Sequence, residues 1–306
     1  MRPHKSFIQN IVKYRYLYLM VLPTIVCLLI FNYYPLWGLR MAFYTYYPTK
    51  GFSGSPFVGL QNFVTLFNMA DFGKQVYNTI IINIYKLILS FPAPIIFAIL
   101  IAEVRQRHFK RAVQTISYLP HFVSWIVVNA LLYALINGNY GTINIAMQSM
   151  GMTPPKWYVR PDLWRAILII TEVWKNVGFG SILYLAAIAN INQEMYEAAA
   201  IDGASRFQQI FRIMLPCLVP TIIVMLIMQM GGMMRGNFQQ VFALVGSNTP
   251  LYSTVDVLDT SIYRLGLEKN QFSLGTAMGI FQSAISFVLV MITNKIANKV
   301  GEYGIW

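Results

Sequence analysis

Six long apolar runs are the feature that most constrains the fold of this 306-residue chain. A helix that crosses a hydrocarbon core of about 30 Å needs roughly 20 mostly apolar residues, and each run has that length between clusters of charge. Lipid offers the backbone no hydrogen-bond partner, which favours helices. The sequence therefore predicts an all-α integral membrane protein with six transmembrane helices, over residues 16–43, 78–103, 112–136, 163–191, 215–234 and 272–297.

The composition supports a membrane protein and argues against a nucleic-acid-binding protein. Only 11% of the residues are charged, whereas soluble proteins carry about 25%. The excess of 23 Lys and Arg over 11 Asp and Glu gives a net charge of +12, which in a soluble protein would suggest a nucleic-acid partner. Nucleic-acid binding requires a basic face on a folded polar domain, and no segment of the sequence is long and polar enough to form one.

The basic residues also predict the orientation. The two termini and the loops on their side carry twelve Lys and Arg, against seven in the longer loops of the opposite side. Cytoplasmic loops of membrane proteins are enriched in these residues. Residues 1–15 are thus predicted as a cytoplasmic N-terminal segment and residues 301–306 as a cytoplasmic tail, on either side of a transmembrane domain at 16–300.

The connection between the fourth and fifth spans, residues 192–216, is strongly helix-forming. Asn192 is suited to cap a first helix, and Gly203 to end it in the left-handed conformation. Ser205 and Gln208 form a capping-box pattern for a second helix, with Pro216 opening the next span. The pattern predicts a helix–turn–helix at the cytoplasmic surface, either as a docking element or as an amphipathic linker resting on headgroups.

Polar residues inside the spans should face protein or a water-filled path. The fourth span is the richest in them, and Glu172 and Lys175 have the i,i+3 spacing of a pair. Each polar residue has an alternative role in helix–helix hydrogen bonding. The candidates for contact with a transported solute are Trp174, Lys175, Asn176 and Gln229.

One motif identifies a family. Glu197-Ala198-Ala199, three residues, Gly203, nine residues, then Ile213-x-Leu215-Pro216 resembles the cytoplasmic signature of permease subunits in binding-protein-dependent ABC importers. The resemblance covers nearly the whole chain. Further segments are similar to the sugar-importer branch, particularly its oligosaccharide and polysaccharide permeases: Asn32-Tyr33-Tyr34-Pro35, Gly59-Leu60-Gln61-Asn62-Phe63 and the terminal Gly301-Glu302-Tyr303-Gly304-Ile305-Trp306.

The resemblance implies a set of roles and partners. A coupling helix would dock on a cytoplasmic ATPase through Glu197, Ala198, Ala199, Asp202 and Gly203. The chain has no phosphate-loop motif, so it is predicted not to be an enzyme, and ATP and Mg²⁺ would bind to two separate ATPase subunits. A second, related permease would complete a heterodimer in a bacterial cell membrane. An external solute-binding protein would deliver a saccharide, expected to be an oligosaccharide, to the loops at residues 137–162 and 235–271.

Two other classes compete with this interpretation. A gradient-driven secondary transporter or channel could use Glu172 and Lys175 as an ion-coupled pair, but leaves the Glu-Ala-Ala segment unexplained. An intramembrane enzyme would need metal, serine or aspartyl motifs that the sequence lacks, and no cofactor or metal site is predicted. Lys86 and Lys175 are compatible with an acidic saccharide such as a uronate oligomer, but either could instead neutralise Glu172.

Overall fold

The computed structural model describes residues 13–138 and 140–301. Most of the predicted N-terminal segment and nearly all of the predicted C-terminal tail therefore lie outside the described residues. Within the described part, five helices are long and apolar enough to cross a membrane, and a bent pair of helices makes a sixth if it is counted as one span. The predicted all-α membrane fold is confirmed.

The membrane-crossing elements follow the predicted order, and within the described residues six shorter α-helices of at least four residues lie between them. We number the spans one to six: Arg15–Phe43, Phe72–Glu103, the pair Arg107–Phe122 and Trp125–Ile136, Pro161–Ala189, Arg206–Gly231, and Phe272–Lys299, whose helix extends to Gly301. The shorter helices are α1 (Gln61–Phe67), α2 (Thr142–Ser149), α3 (Gln193–Ile201), α4 (Phe238–Val245), α5 (Tyr252–Val255) and α6 (Leu258–Tyr263). Tyr44 and Phe57 form an isolated antiparallel bridge after span one.

Wide π-helical turns allow spans one, two and five to continue across prolines. The turns at Leu29–Tyr33, Lys86–Ser90 and Ile210–Met214 each end two residues before a proline: Pro35, Pro92 and Pro216. A proline ring inside an α-helix clashes with the carbonyl group four residues earlier. In each case that carbonyl lies within the wider turn, which moves it away from the ring.

The boundary predicted at Pro216 is therefore absent. The capping box of Ser205 and Gln208 forms as predicted, but the helix that it starts continues from Arg206 to Gly231 without interruption. The second helix predicted for the connection between spans four and five is thus the first part of span five. A displacement of this connection would pass directly into the span.

The third span is not the single straight helix that its composition predicted. It consists of Arg107–Phe122 and Trp125–Ile136, which meet at an angle of 102°. Pro120 lies in the last turn of the first helix, and the Ser124 side chain caps the second by accepting a hydrogen bond from the Val127 amide. A proline near the end of one helix and a cap at the start of the next favour a break at this point.

Residues 235–271 are also more than a surface loop. Helices α4 and α5 supply buried apolar side chains to the largest core cluster, which they share with spans two, three and four. Each helix has eight residues or fewer, so neither forms an apolar run long enough to be recognised as membrane-embedded. The members of this cluster are Ile82, Trp125, Val128, Trp164, Leu168, Val241, Leu244, Val245, Leu251, Val255 and Val257.

Candidate functional site

An open cavity of about 880 Å³ lies at the bend of span three. The break between the two helices of that span forms one wall, and span four and helix α4 form the others. Ligand pockets in proteins measure about 300–1,000 Å³, so the cavity has the size of a binding site. Its lining combines aromatic, amide and imidazole groups: His121, Phe122, Trp125, Lys175, Asn176, Asn237, Phe238, Gln239 and Phe242, with four smaller residues.

Lys175 fixes the bend. Its ammonium group donates hydrogen bonds to three backbone carbonyls of the break, those of Pro120 at 3.1 Å, His121 at 2.5 Å and Val123 at 2.6 Å. These carbonyls lie at the C-terminal end of a helix, where backbone acceptors lack partners in the helix and the dipole favours a cation. The side chain is buried, and its charge is directed at the backbone.

Glu172 connects span four to span two and to the start of α4. One carboxylate oxygen accepts a hydrogen bond from the Asn176 amide at 3.0 Å, and the other accepts one from Asn237 at 2.9 Å. The Lys86 ammonium lies 3.8 Å from the same carboxylate and donates to Gln240 at 3.1 Å. A charge inside a membrane protein requires this kind of pairing.

The predicted pairing of Glu172 with Lys175 is wrong. Glu172 pairs with Lys86 from span two, whereas Lys175 is directed at the bend of span three. The i,i+3 spacing places two side chains near one another, but each is closer to a partner in another span. The pair proposed for the alternative ion-coupled transporter is consequently not formed.

The four candidates for solute contact do not all come together. Lys175 and Asn176 line the cavity, and the Asn176 side-chain oxygen lies 3.0 Å from Nδ1 of His121. Trp174 and Gln229 are exposed on spans four and five, and neither is among the lining residues.

A second cavity, of about 650 Å³, lies on the other side of Phe238. Phe238 lines both cavities and forms an aromatic cluster with Phe242 and Tyr263, with ring centroids 4.9–5.2 Å apart. Arg235, Asp259 and Gln282 supply polar groups to the second cavity. The two cavities therefore flank one aromatic wall.

The segment between spans four and five has the predicted local geometry. The Asn192 side chain caps α3 by accepting a hydrogen bond from the Glu194 amide at 3.0 Å. Helix α3 ends at Ile201, and Gly203 has a φ of 77°, in the left-handed region that favours glycine. These features confirm the predicted cap at Asn192 and the predicted left-handed turn at Gly203.

The exposed face of α3 carries most of the predicted coupling residues. Glu197, Ala198, Asp202 and Gly203 are exposed, whereas Ala199 is partly buried. Tyr196 packs on the opposite side against the cluster of Ile191, Met214 and Leu218, and burial raises the pKa of its hydroxyl. The helix is thus anchored to spans four and five by one face, and 87% of the Ile201 surface remains exposed on another.

Several site residues were missed from the sequence. His121 is not among the candidates that the sequence indicates, and Asn237, Phe238 and Gln240 fall within the predicted loop at residues 235–271. The one available signal was the run Gly231-Gly232 to Gly236-Asn237, which predicts an interrupted helix. Asn237 does adopt the left-handed conformation, with a φ of 54°, and caps α4.

Comparison with known proteins decides the family. Residues 90–301 match the family of binding-protein-dependent transport system inner membrane components. The chain belongs to this family. The polygalacturonan/rhamnogalacturonan transport system permease protein YteP of Bacillus subtilis is 37% identical over 302 residues, which cover 99% of this chain and 94% of that one.

Solved structures are also similar to this permease. A chain of a bacterial ABC transporter involved in the import of the acidic polysaccharide alginate has a TM-score of 0.90 and 38% identity, with 97% of this chain and all of that chain covered. The alginate transporter in complex with an alginate pentasaccharide-bound periplasmic protein matches equally well, at 37% identity and 98% coverage. The permease is thus a multi-pass membrane subunit of an ABC importer, and it is not an enzyme.

Proposed function

We propose that this permease and a second, related permease form the path for an oligosaccharide that carries acidic sugar residues. The observation that carries the proposal is the cavity at the bend of span three, whose aromatic, amide and imidazole side chains suit a sugar. Aromatic faces pack against the C–H surface of a sugar ring, while amides bond to its hydroxyl groups. Relatives named for polygalacturonan/rhamnogalacturonan transport and alginate import support an acidic saccharide.

The remaining subunits follow from the same assignment. An external solute-binding protein delivers the saccharide, as the alginate neighbour, seen with its periplasmic protein, suggests. Two separate ATPase subunits bind ATP and Mg²⁺ at the cytoplasmic side. The distribution of Lys and Arg supports cytoplasmic termini in a bacterial cell membrane.

Coupling to the ATPases is assigned to α3. Glu197, Ala198, Asp202 and Gly203 present an exposed polar and small-residue surface, with Ala199 at its edge. Because span five continues from the capping box without a break, a movement of the docked segment is transmitted along a continuous helix.

Uptake in cells tests the proposal. A strain lacking this chain is compared with the same strain carrying it on a plasmid, using labelled oligogalacturonides, alginate oligomers and neutral oligosaccharides. We expect uptake of at least one acidic oligosaccharide to depend on the chain. Normal uptake of every saccharide by the deletion strain, together with loss of a solute that is not a saccharide, would contradict the proposal.

A further inference from the structure

Residues 234–237, between span five and α4, are fixed by side chains from four different elements. The Met234 carbonyl accepts a hydrogen bond from Gln282 of span six at 2.6 Å, and the Arg235 carbonyl accepts one from Asn83 of span two at 3.1 Å. The Gly236 amide donates to Asp259 of α6 at 2.7 Å. The Asn237 side chain donates to Glu172 of span four. Non-helical backbone next to a membrane span is tolerated where protein groups of this kind satisfy its hydrogen bonds.

This segment presents one charged side chain. Met234 and Gly236 are buried, and the Asn237 side chain is engaged by Glu172, but Arg235 is exposed and lines the cavity of about 650 Å³. A charged side chain on a rigid, non-helical connection beside a cavity is a candidate binding group. Gly236 has no room for a side chain, since a Cβ there would lie 2.6 Å from Val257, so the backbone beside Arg235 has little freedom.

The other cations near the aromatic wall have partners within the protein, whereas Arg235 has no carboxylate partner among the described residues. Lys175 donates to three carbonyls, and Lys86 is engaged by Glu172 and Gln240. Among residues 13–138 and 140–301, the ion pairs are those of Lys86, Arg160 and Arg264, so Arg235 pairs with no carboxylate there. Asp259 lines the same cavity, but its two oxygens accept hydrogen bonds from Gly236 and Gln282.

The position of Arg235 beside aromatic rings defines the ligand chemistry. Phe238 and Tyr263 line the same cavity, with ring centroids 5.2 Å apart. A guanidinium group binds carboxylates in a bidentate geometry, and an adjacent aromatic face packs on the sugar ring that carries the carboxylate. A neutral sugar offers the guanidinium only hydroxyl groups and so lacks this charge-assisted, bidentate pairing.

We propose that Arg235 binds the carboxylate of a uronate residue in the transported oligosaccharide and selects acidic over neutral substrates. The proposal rests on the proposed function and sharpens it. It also replaces Lys86 and Lys175 as the cations that favour an acidic saccharide, because both are buried and committed to groups of the protein.

Direct binding tests the proposal. The complex that co-purifies with the tagged chain is placed in nanodiscs without the solute-binding protein, and calorimetry measures its Kd for a galacturonate pentasaccharide and for the methyl ester of the same pentasaccharide. We expect the wild type to bind the acid at least about tenfold more tightly, a difference of about 1.4 kcal/mol. R235Q should bind the two forms equally, and R235K should retain part of the preference.

Matched variants separate recognition from structure. K50Q removes one positive charge from an exposed lysine that does not line this cavity and lies outside the loops expected to receive the saccharide, and should keep the wild-type preference. R235Q should co-purify with the same subunits as the wild type. Equal binding of acid and ester by the wild type, an unchanged preference in R235Q, or loss of assembly in R235Q would overturn the proposal. In each case, import measured in the deletion strain would show separately whether the proposed function holds.

Discussion

Single residues in this permease show that charge inside a membrane protein is first used to stabilise the protein. Lys175 donates to three carbonyls at the bend of span three, of which only that of Pro120 also accepts a backbone hydrogen bond, from Val123. Lys86 and Glu172 compensate one another between spans two and four. Arg235 differs from these two lysines because its side chain is exposed and lines a cavity.

Replacement of Lys175 by Met should destabilise the complex. The bend would lose its charged donor and leave buried carbonyl groups without a partner, at a cost of about 3 kcal/mol. We expect a lower midpoint of thermal unfolding for the detergent-purified complex and a corresponding loss of uptake. Lys175→Arg keeps the cation and should restore part of the stability. Wild-type stability combined with lost uptake would instead indicate that Lys175 contacts the solute.

The sequence indicates which residues are special at this scale, but not what each one contacts. Lys175 and Asn176 stand out because polar side chains are rare in apolar spans, and both do line a cavity. The groups that they contact could not be predicted from the spacing of residues along the sequence. Glu172 pairs with a lysine 86 positions earlier, which only the packing of two spans brings close.

Among the helices, the close approach of spans three and four depends on one glycine. A Cβ added at Gly178 would lie 2.1 Å from the carbonyl oxygen of Ser117 and 2.4 Å from its carbon. Both atoms belong to backbone, so neither can rotate away. Small residues at such contacts allow membrane helices to approach closely.

Gly178→Ala should therefore disrupt the packing of spans three and four. Overpacking typically costs about 1–3 kcal/mol, and a backbone neighbour puts this site at the upper end. Gly73→Ala is the matched control, since a Cβ at Gly73 meets nothing within 4 Å. We expect reduced yield and a lower unfolding midpoint for Gly178→Ala alone. Equal behaviour of the two variants would contradict the packing.

The proposed coupling role of α3 and its turn at Gly203 can be tested by substitution. Gly203→Asp places a side chain in a left-handed conformation, and Glu197→Lys reverses an exposed charge on α3. Both changes lie at the surface, so membrane insertion should be unaffected while transport is abolished. Uptake by cells, with the amount of chain in the membrane measured in parallel, tests this. Normal uptake by a well-expressed double mutant would exclude the coupling role.

Long elements could be predicted from the sequence more fully than short ones. A run of about 20 apolar residues has few alternatives to a span, and the caps of α3 were visible in the residues themselves. Helices α4 and α5 could not be recognised as core elements, because their burial depends on contacts with spans two to four. The bend of span three likewise depends on Lys175, which lies more than 50 residues away along the chain.

For the whole molecule, the low fraction of charged residues and the positive net charge have different causes. The low charge reflects the spans, and the Lys and Arg excess in the termini and the loops predicted on their side supports the proposed cytoplasmic orientation of the termini. At the opposite ends of the spans, residues 235–271 pack inward and supply the aromatic wall between the two cavities. The permease thus combines the proposed coupling helix α3, a continuous span five and a candidate path in one chain.

ATP-dependent uptake into proteoliposomes tests the central claim most directly. The complex isolated through the tagged chain is reconstituted with ATP and Mg²⁺ on the ATPase side and the saccharide-loaded binding protein on the other. We predict uptake of an acidic oligosaccharide that requires ATP, the binding protein and the ATPase subunits, and no uptake by the purified chain alone. Gradient-driven uptake by the chain alone would contradict this account.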